Sequence, residues 1–238
     1  MAFLLDVSRR VLCPEVMDDP GLDPERHAQA LNGLARINAW SGSARILWGA
    51  IAPCLRATPA TALRILDVAS GAGDVPIRLW RKARRAGWNV EVAGCDLSPT
   101  AVAFARRRAA DARAEVEFHR ADALQGNLPE GYDVVTCSLF LHHLEAEQAV
   151  ELLRRAAAAA RRLVLVSDLN RTRAGFAFAW LGTRILSRSD VIHVDGPRSV
   201  ERAFTAAEAL ALAKRAGLRG ATVGRRWPCR WLLRWERP

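Results

Sequence analysis

The 238-residue chain holds one tyrosine, Tyr132, and two lysines, Lys82 and Lys214, so almost all of its 35 basic residues are arginine. It has no C-x-x-C pair, no low-complexity linker and no internal repeat. Its five cysteines, Cys13, Cys54, Cys95, Cys137 and Cys229, are scattered and odd in number, so neither a zinc site nor a disulfide framework follows from them. No metal is expected, and a reduced cytoplasmic compartment accounts for free thiols. Long apolar runs are missing too. Ile46–Leu55 and Ala174–Gly182 are the longest, closed by Arg56 and by Thr183-Arg184, well short of the roughly 20 residues of a membrane span. Met1–Asp6 has no basic n-region and no long apolar h-region, so no signal peptide is expected. These absences describe a soluble protein for which peripheral membrane contact stays open.

What is present is globular. Half of the residues are hydrophobic and a quarter charged, which excludes wholesale disorder, collagen and a disulfide miniprotein. The length suits one domain, or one with an appendage, able to bury a core unaided. A net charge of +10 ordinarily points to an acidic partner. Here, however, Arg84-Arg85, Arg106-Arg107-Arg108, Arg154-Arg155 and Arg161-Arg162 all fall in or beside helical stretches. Arginine is a good helix former, and an arginine- and alanine-rich composition is what GC-rich coding gives. The clusters read as solvated helix faces, so nucleic acid is not the expected partner.

After the turn-rich Cys13–Pro24, two amphipathic helical stretches, about Glu25–Trp40 and Ser43–Leu55, form an N-terminal cap or lid over residues 1–60, entered through the N-cap and N1 pair Asp23-Pro24. From Leu63 the pattern alternates. β-Branched runs at Arg64–Val68, Asn89–Cys95, Glu115–Arg120, Asp133–Ser138 and Leu163–Ser167 are separated by helical stretches at Val75–Ala86, Pro99–Ala112 and Glu147–Ala160. This is the signature of βαβ crossovers and a doubly wound, mainly parallel sheet. Gly220–Arg226 and Arg230–Trp235, joined by Trp227-Pro228, must pair as an antiparallel hairpin. A domain over 61–238 therefore carries an insertion at about 170–204, before a last helix at Thr205–Ala216. Ligands bind beyond the carboxyl ends of such strands, where strand order reverses, so the cap and the insertion are natural lids.

The sharpest motif is Asp67-Val68-Ala69-Ser70-Gly71-Ala72-Gly73-Asp74, a buried strand breaking into a small-residue turn and then a helix. Gly71 and Gly73 permit torsions and a close ligand approach that side chains would block. A dinucleotide site would want G-x-G-x-x-G under a pyrophosphate. Asp74 at the helix start opposes a phosphate, whereas Asp67 and Asp74 suit a positively charged ligand. S-adenosylmethionine, with its ammonium and sulfonium and no phosphate, has that character. Asp96, ending the second strand with Leu97 after it, sits where an acid accepts both ribose hydroxyl protons. Asp122-Ala123 ends the third, where a carboxylate can take the adenine amino group.

In these motifs the chain resembles the class I S-adenosylmethionine-dependent methyltransferases, and within them the small-molecule branch with the ubiquinone and menaquinone C-methyltransferases. That family's first motif, D-V-A-x-G-x-G-D, matches residues 67–74, including alanine at Ala69. Its N-terminal asparagine, serine-glycine and tryptophan resemble Asn38, Ser41-Gly42 and Trp48, with spacing that differs by one residue. The likeness covers about Leu63–Asp168. It implies a Rossmann-like seven-stranded sheet of order 3-2-1-4-5-7-6. It also implies cofactor contacts from Asp67, Ala69, Ser70, Gly71, Gly73 and Asp74 at the methionine end, Asp96 and Leu97 at the ribose, Asp122 and Ala123 at the adenine, and Ser138 and Leu139 after the fourth strand. Where the quinone enzymes carry an arginine-asparagine pair, this chain has Ser138-Leu139-Phe140-Leu141-His142-His143-Leu144, which resembles the broader small-molecule pattern.

Methyl transfer is an in-line displacement helped by positioning, and a phenol gains from a base. His143 is the preferred base and His142 the second. His193, in Val191–Pro197 beside an expected turn of the lid, is a third candidate for base or substrate contact. Asp168 could orient a substrate, or could cap the next segment with Asn170. His27 and His119 carry no expected role. Cys137 alternates inward and lacks the preceding proline of a cytosine-methylating nucleophile, so it reads as a buried thiol. The N/D-P-P-Y/F clamp for a flipped base is missing. Phe176, Phe178 and Trp180 divide between lid wall and core. The expectation is a cytoplasmic enzyme methylating a small aromatic or lipophilic acceptor, a phenol, polyketide or quinol as in secondary metabolism, with O- favoured over C-methylation. An RNA methyltransferase and a non-catalytic cofactor-binding subunit are the alternatives. Nothing in the sequence sets the oligomeric state.

Overall fold

A computed structural model describes residues 7–19, 21–57 and 62–238. Seven strands, β1 (Leu63–Val68), β2 (Val90–Asp96), β3 (Val116–Arg120), β4 (Tyr132–Ser138), β5 (Ala160–Leu169), β6 (Thr222–Arg226) and β7 (Arg230–Glu236), form one sheet of order β3-β2-β1-β4-β5-β7-β6. The first five run parallel, and β7 pairs antiparallel with both β5 and β6. This is the doubly wound, Rossmann-like sheet with an antiparallel terminal pair that the sequence pattern implies. Strand order reverses between β1 and β4, which opens a crevice at their carboxyl ends.

Both faces of the sheet are covered, which is why the central strands read as continuous apolar runs rather than alternating ones. On one face α5 (Ala146–Ala159) and α8 (Ala206–Arg215) pack Leu152, Leu153 and Leu212 against Leu66, Val135, Val164 and the fully buried Trp231. On the other, α2 (Ser43–Ala57) and α3 (Asp74–Arg85) bring Leu47, Ile51 and Leu79 onto Ile65, Val134 and Leu165. A smaller cluster under α4 (Pro99–Asp111) joins Val102 and Ala105 to Phe118. Burying a leucine or isoleucine of this kind contributes about 1.5–3 kcal/mol, so α2 is part of the sheet's covering layer.

Asp23 caps α1 (Pro24–Ser41) through the backbone N–H groups of Glu25 and Arg26. Gly42, at φ +74°, ends it in the left-handed conformation that glycine adopts without strain. The insertion folds as two helices, α6 (Arg173–Leu186) and α7 (Asp190–Arg202). Gly196-Pro197 predicts a turn beside His193, yet His193 lies within α7. Packing overrides the local signal: Gly196 is pressed against Thr183 of α6, where a Cβ would come within 2.4 Å of Cγ2. Asp195 also takes the N–H groups of Val16 and Met17 at 2.8 and 2.9 Å. The segment ahead of α1 thus lies as a strap over α7, tied further by Arg198 to the Pro14 carbonyl and by Arg202 to that of Cys13.

Candidate active site

The β1–α3 turn sits at the mouth of the crevice. Ala69, Gly71 and Gly73 have φ of +53°, +52° and +74°. The sequence predicts both glycines at a ligand, but the structure separates them. A Cβ on Gly71 would meet nothing within 4 Å, so this residue fronts open space. A Cβ on Gly73 would lie 2.6 Å from Phe118 Cζ and 2.9 Å from Ala105 Cβ, so Gly73 seats α3 against the core. Asp96 holds the turn from the next strand, accepting from Gly71 N–H with one oxygen and Ser98 N–H with the other, both at 2.9 Å. Leu97, just beyond, is 56 % exposed. Asp122 accepts from Leu124 N–H in a local turn at 2.8 Å, and Ala123 is buried beside it.

Beneath the turn the sheet and the end of α1 contribute a set of buried polar side chains. Asp67 accepts a 2.6 Å bond from Thr136 Oγ1 on β4. Burial pushes its carboxyl up to about 7, against the pull of that bond, with Asp74 and Asp96 adding to the rise. Burial also raises Asp74, opposed by Arg108, Arg78 and a bond with Asn38. Asp74 Oδ2, Asn38 Oδ1, Ser41 Oγ, Ser70 Oγ and Ser167 Oγ are all buried without a hydrogen-bond partner. Such orphans are rare in proteins and ask for a missing partner. At the end of β4, Ser138 pairs with Ser167 across β4 and β5, and Leu139, at φ +56°, places its N–H on the Ser167 carbonyl.

Arg230 also reaches this face. It opens β7, is 2 % exposed, and donates to Ser43 Oγ at 2.7 Å. Burial lowers its guanidinium to about 10, while Asp168 and Asp74 hold it up, so it stays charged near neutrality. Sequence reasoning misses Arg230 and Ser43. Their only signal is an arginine heading an apolar run, in a chain where arginine is common.

The opposite corner gathers the histidines. His142 and His143 lie in a 3-10 turn (Leu141–His143). His142 is buried, with Nδ1 2.7 Å from Asp168 Oδ1 and its backbone N–H on Asp168 Oδ2. Asp168 does not cap α6, which Thr172 caps through Gly175 N–H; it holds His142. Burial alone would raise this carboxyl, but the charge and hydrogen bonds of His142 carry it below the usual range. Glu15, a buried strap residue that the sequence does not flag, stands 3.9 Å from His142 Nε2 and 3.8 Å from His143 Nε2. His143 keeps 24 % of its side chain exposed and stacks on Phe140. His193 is elsewhere, with Nε2 on the Ser187 carbonyl at 2.8 Å. Cys137 is an inward thiol that burial pushes well above its usual range.

Glu15, His142 and His143 bring three potential ligand atoms within 4.8 Å of one another. A cation there would compete with Arg202, 4.0 Å from Glu15, and with Ser199, which donates to the same oxygen at 2.8 Å.

Residues 65–162, the β1–β5 region that builds this crevice, match the family model described as a methyltransferase domain. This region is similar to a methyltransferase domain. The domain resembles the ubiquinone and menaquinone methyltransferases. A demethylmenaquinone methyltransferase of Thermus thermophilus is 40 % identical over 105 residues, 43 % of this chain and 46 % of that protein. A ubiquinone biosynthesis O-methyltransferase of Bordetella parapertussis is 29 % identical over 157 residues, 65 % of this chain and 61 % of that one. The matches thus span roughly half of these relatives' lengths. The methyltransferase domain and its flanking elements superpose on the magnesium protoporphyrin IX methyltransferase of Synechocystis with bound S-adenosylhomocysteine. The TM-score is 0.56 at 19 % identity, over 93 % of this chain and 91 % of the other, a likeness of fold.

Proposed function

We propose that this chain transfers a methyl group from S-adenosylmethionine to a small, aromatic or lipophilic acceptor hydroxyl. The observation that carries the reading is the set of buried polar groups Asp67, Asp74, Asn38, Ser41 and Ser167, whose unpartnered oxygens and two carboxylates suit an ammonium beside a sulfonium. The residues fit that cofactor throughout. Asp67 and Asp74 face its positive end, with Ala69, Ser70 and Gly71 shaping the turn and Gly73 seating it. Arg230, buried, charged and coupled to Asp74, is the proposed partner of the cofactor's carboxylate. Asp96 and Leu97 take the ribose, Asp122 and Ala123 the adenine, and Ser138 and Leu139 border the sulfur. When bound, S-adenosylmethionine supplies an electrophilic methyl group.

His143, the less buried of the pair, takes the acceptor's proton. Glu15 orients it, and His142, held by Asp168, fixes the 3-10 turn that delivers it. A base so placed contributes about 10²–10⁴ in rate. O-methylation follows from the presence of this base, and from Ser138–Leu144 standing where the quinone C-methylating relatives carry an arginine-asparagine pair. Of the expected cap over residues 1–60, the strap and α1 supply the described part, while α2 packs on the sheet. Residues 61–238 form the methyltransferase unit, with α6 and α7 as its lid. Its five free thiols suit the cytoplasm. No helix among the described residues is long and apolar enough to cross a membrane.

The test is transfer of label from methyl-labelled S-adenosylmethionine to a panel of phenols and quinols beside bulk RNA, with Asp96→Ala as control. Counts in the organic extract that vanish in the variant support the reading. Counts confined to precipitable RNA overturn it.

A further inference from the structure

We propose that the outer face of α6 docks on the surface of an anionic lipid bilayer. Four of the ten large hydrophobic side chains that the described residues leave exposed lie on this one 14-residue helix. Phe178, Leu181 and Ile185, spaced i, i+3 and i+7, form a single stripe and are 40, 50 and 70 % exposed. Trp227, from the β6–β7 connection, extends the stripe on one side; it is 65 % exposed and meets Phe178 edge to face at 5.5 Å. Along the other side Arg173, Trp180 and Arg184 repeat at i, i+7 and i+11, with Arg184 4.2 Å above the Trp180 ring.

The charge around the stripe selects the partner. Arg173, Arg184 and Arg188 on or just after α6, and Arg225 and Arg226 beside Trp227, are exposed, while residues 169–189 and 221–235 hold no Asp or Glu. An apolar stripe bordered by cations and tryptophans is the chemistry of a helix lying in the headgroup layer, apolar face down, with basic side chains on anionic headgroups. A two-fold contact with a second copy would instead set this arginine row against its own image. The helix begins four residues after the end of β5, so docking holds the carboxyl end of the sheet near the lipid surface. The inference goes beyond the reaction proposed above, since vesicle binding is read without any methyl transfer.

The experiment is co-sedimentation of the full chain with phosphatidylcholine vesicles, with and without phosphatidylglycerol. It is repeated for Phe178→Ser/Leu181→Ser/Ile185→Ser and for Arg173→Gln/Arg184→Gln, with circular dichroism and S-adenosylmethionine affinity followed for each protein. The expected result is binding to the anionic vesicles only. The triple variant should lose at least tenfold, and the arginine variant about fivefold per charge removed, with fold and cofactor affinity unchanged. The arginine variant keeps the test decisive if the serine variant misfolds. Wild-type protein that stays in solution with both vesicles overturns the inference, as does binding indifferent to both variants. So does a dimer that the serine variant dissolves without any vesicle binding. Vesicle binding by a protein that does not bind S-adenosylmethionine supports this surface and overturns the proposed reaction instead.

Discussion

Asp67 is the residue at which burial and function pull hardest against each other. Its carboxyl has moved from an ordinary 3.8 to about 7 because burial disfavours the charge, only partly offset by Thr136. The folded protein thus holds a proton that the unfolded chain releases between about pH 4 and 7, so stability falls as pH rises through that window. Asp67→Asn should flatten this decline in thermal melts across that range. A cationic ligand favours the carboxylate, so below about pH 7 cofactor affinity should rise with pH and binding should expel a proton, readable by calorimetry in buffers of different ionisation enthalpy. The two histidines should separate in the same way. His142→Ala strands the buried Asp168 and should cost about 3–5 kcal/mol in denaturant unfolding. His143→Ala should fold normally and lose about 10²–10⁴ in turnover, with cofactor affinity intact. Arg230→Met should abolish any preference for S-adenosylmethionine over its decarboxylated form in a direct binding assay.

At the scale of elements, the β1–α3 turn makes two neighbouring glycines do different things. Gly71→Ala, with open space around its Cβ, should fold with a penalty of about 1 kcal/mol for its positive φ and lose cofactor binding. Gly73→Ala, driven into Phe118 and Ala105, should lower the melting temperature first. Calorimetric melts paired with binding titrations distinguish the two. Both glycines, the acids at the strand ends and the strand order are legible in the sequence because each is a local pattern: a strand, a breaker, a helix. What is not legible is set by distance along the chain. Arg230 and Ser43 are 187 residues apart, and only the sheet order brings them together. Glu15 reads as one acid in a turn-rich segment until the strap is seen lying over the histidines. His193 is misplaced for the opposite reason: Gly196-Pro197 is a strong local stop, and the packing of α6 on α7 overrules it.

At the scale of the whole molecule, the histidine corner is built from parts that arrive separately: the strap with Glu15, the 3-10 turn after β4, and the end of β5. The strap is held chiefly by side chains of α7, among them Asp195, which binds two of its backbone N–H groups. Asp195→Ala should therefore speed hydrogen exchange at Val16 and Met17 and lower turnover, while cofactor affinity stays within a few-fold.

The position of β7 between β5 and β6 bears on how such a protein comes to exist. At about 5–20 residues per second, a ribosome has finished β5 several seconds before Arg230 emerges. Until then β5 presents an open edge, apolar on both faces, of the sort that invites pairing with other chains. A nascent or truncated chain of this sequence would thus be a natural client for chaperones. It would gain its partner strand and its buried arginine in the same final step, so that sealing the sheet and completing the set of buried polar groups coincide.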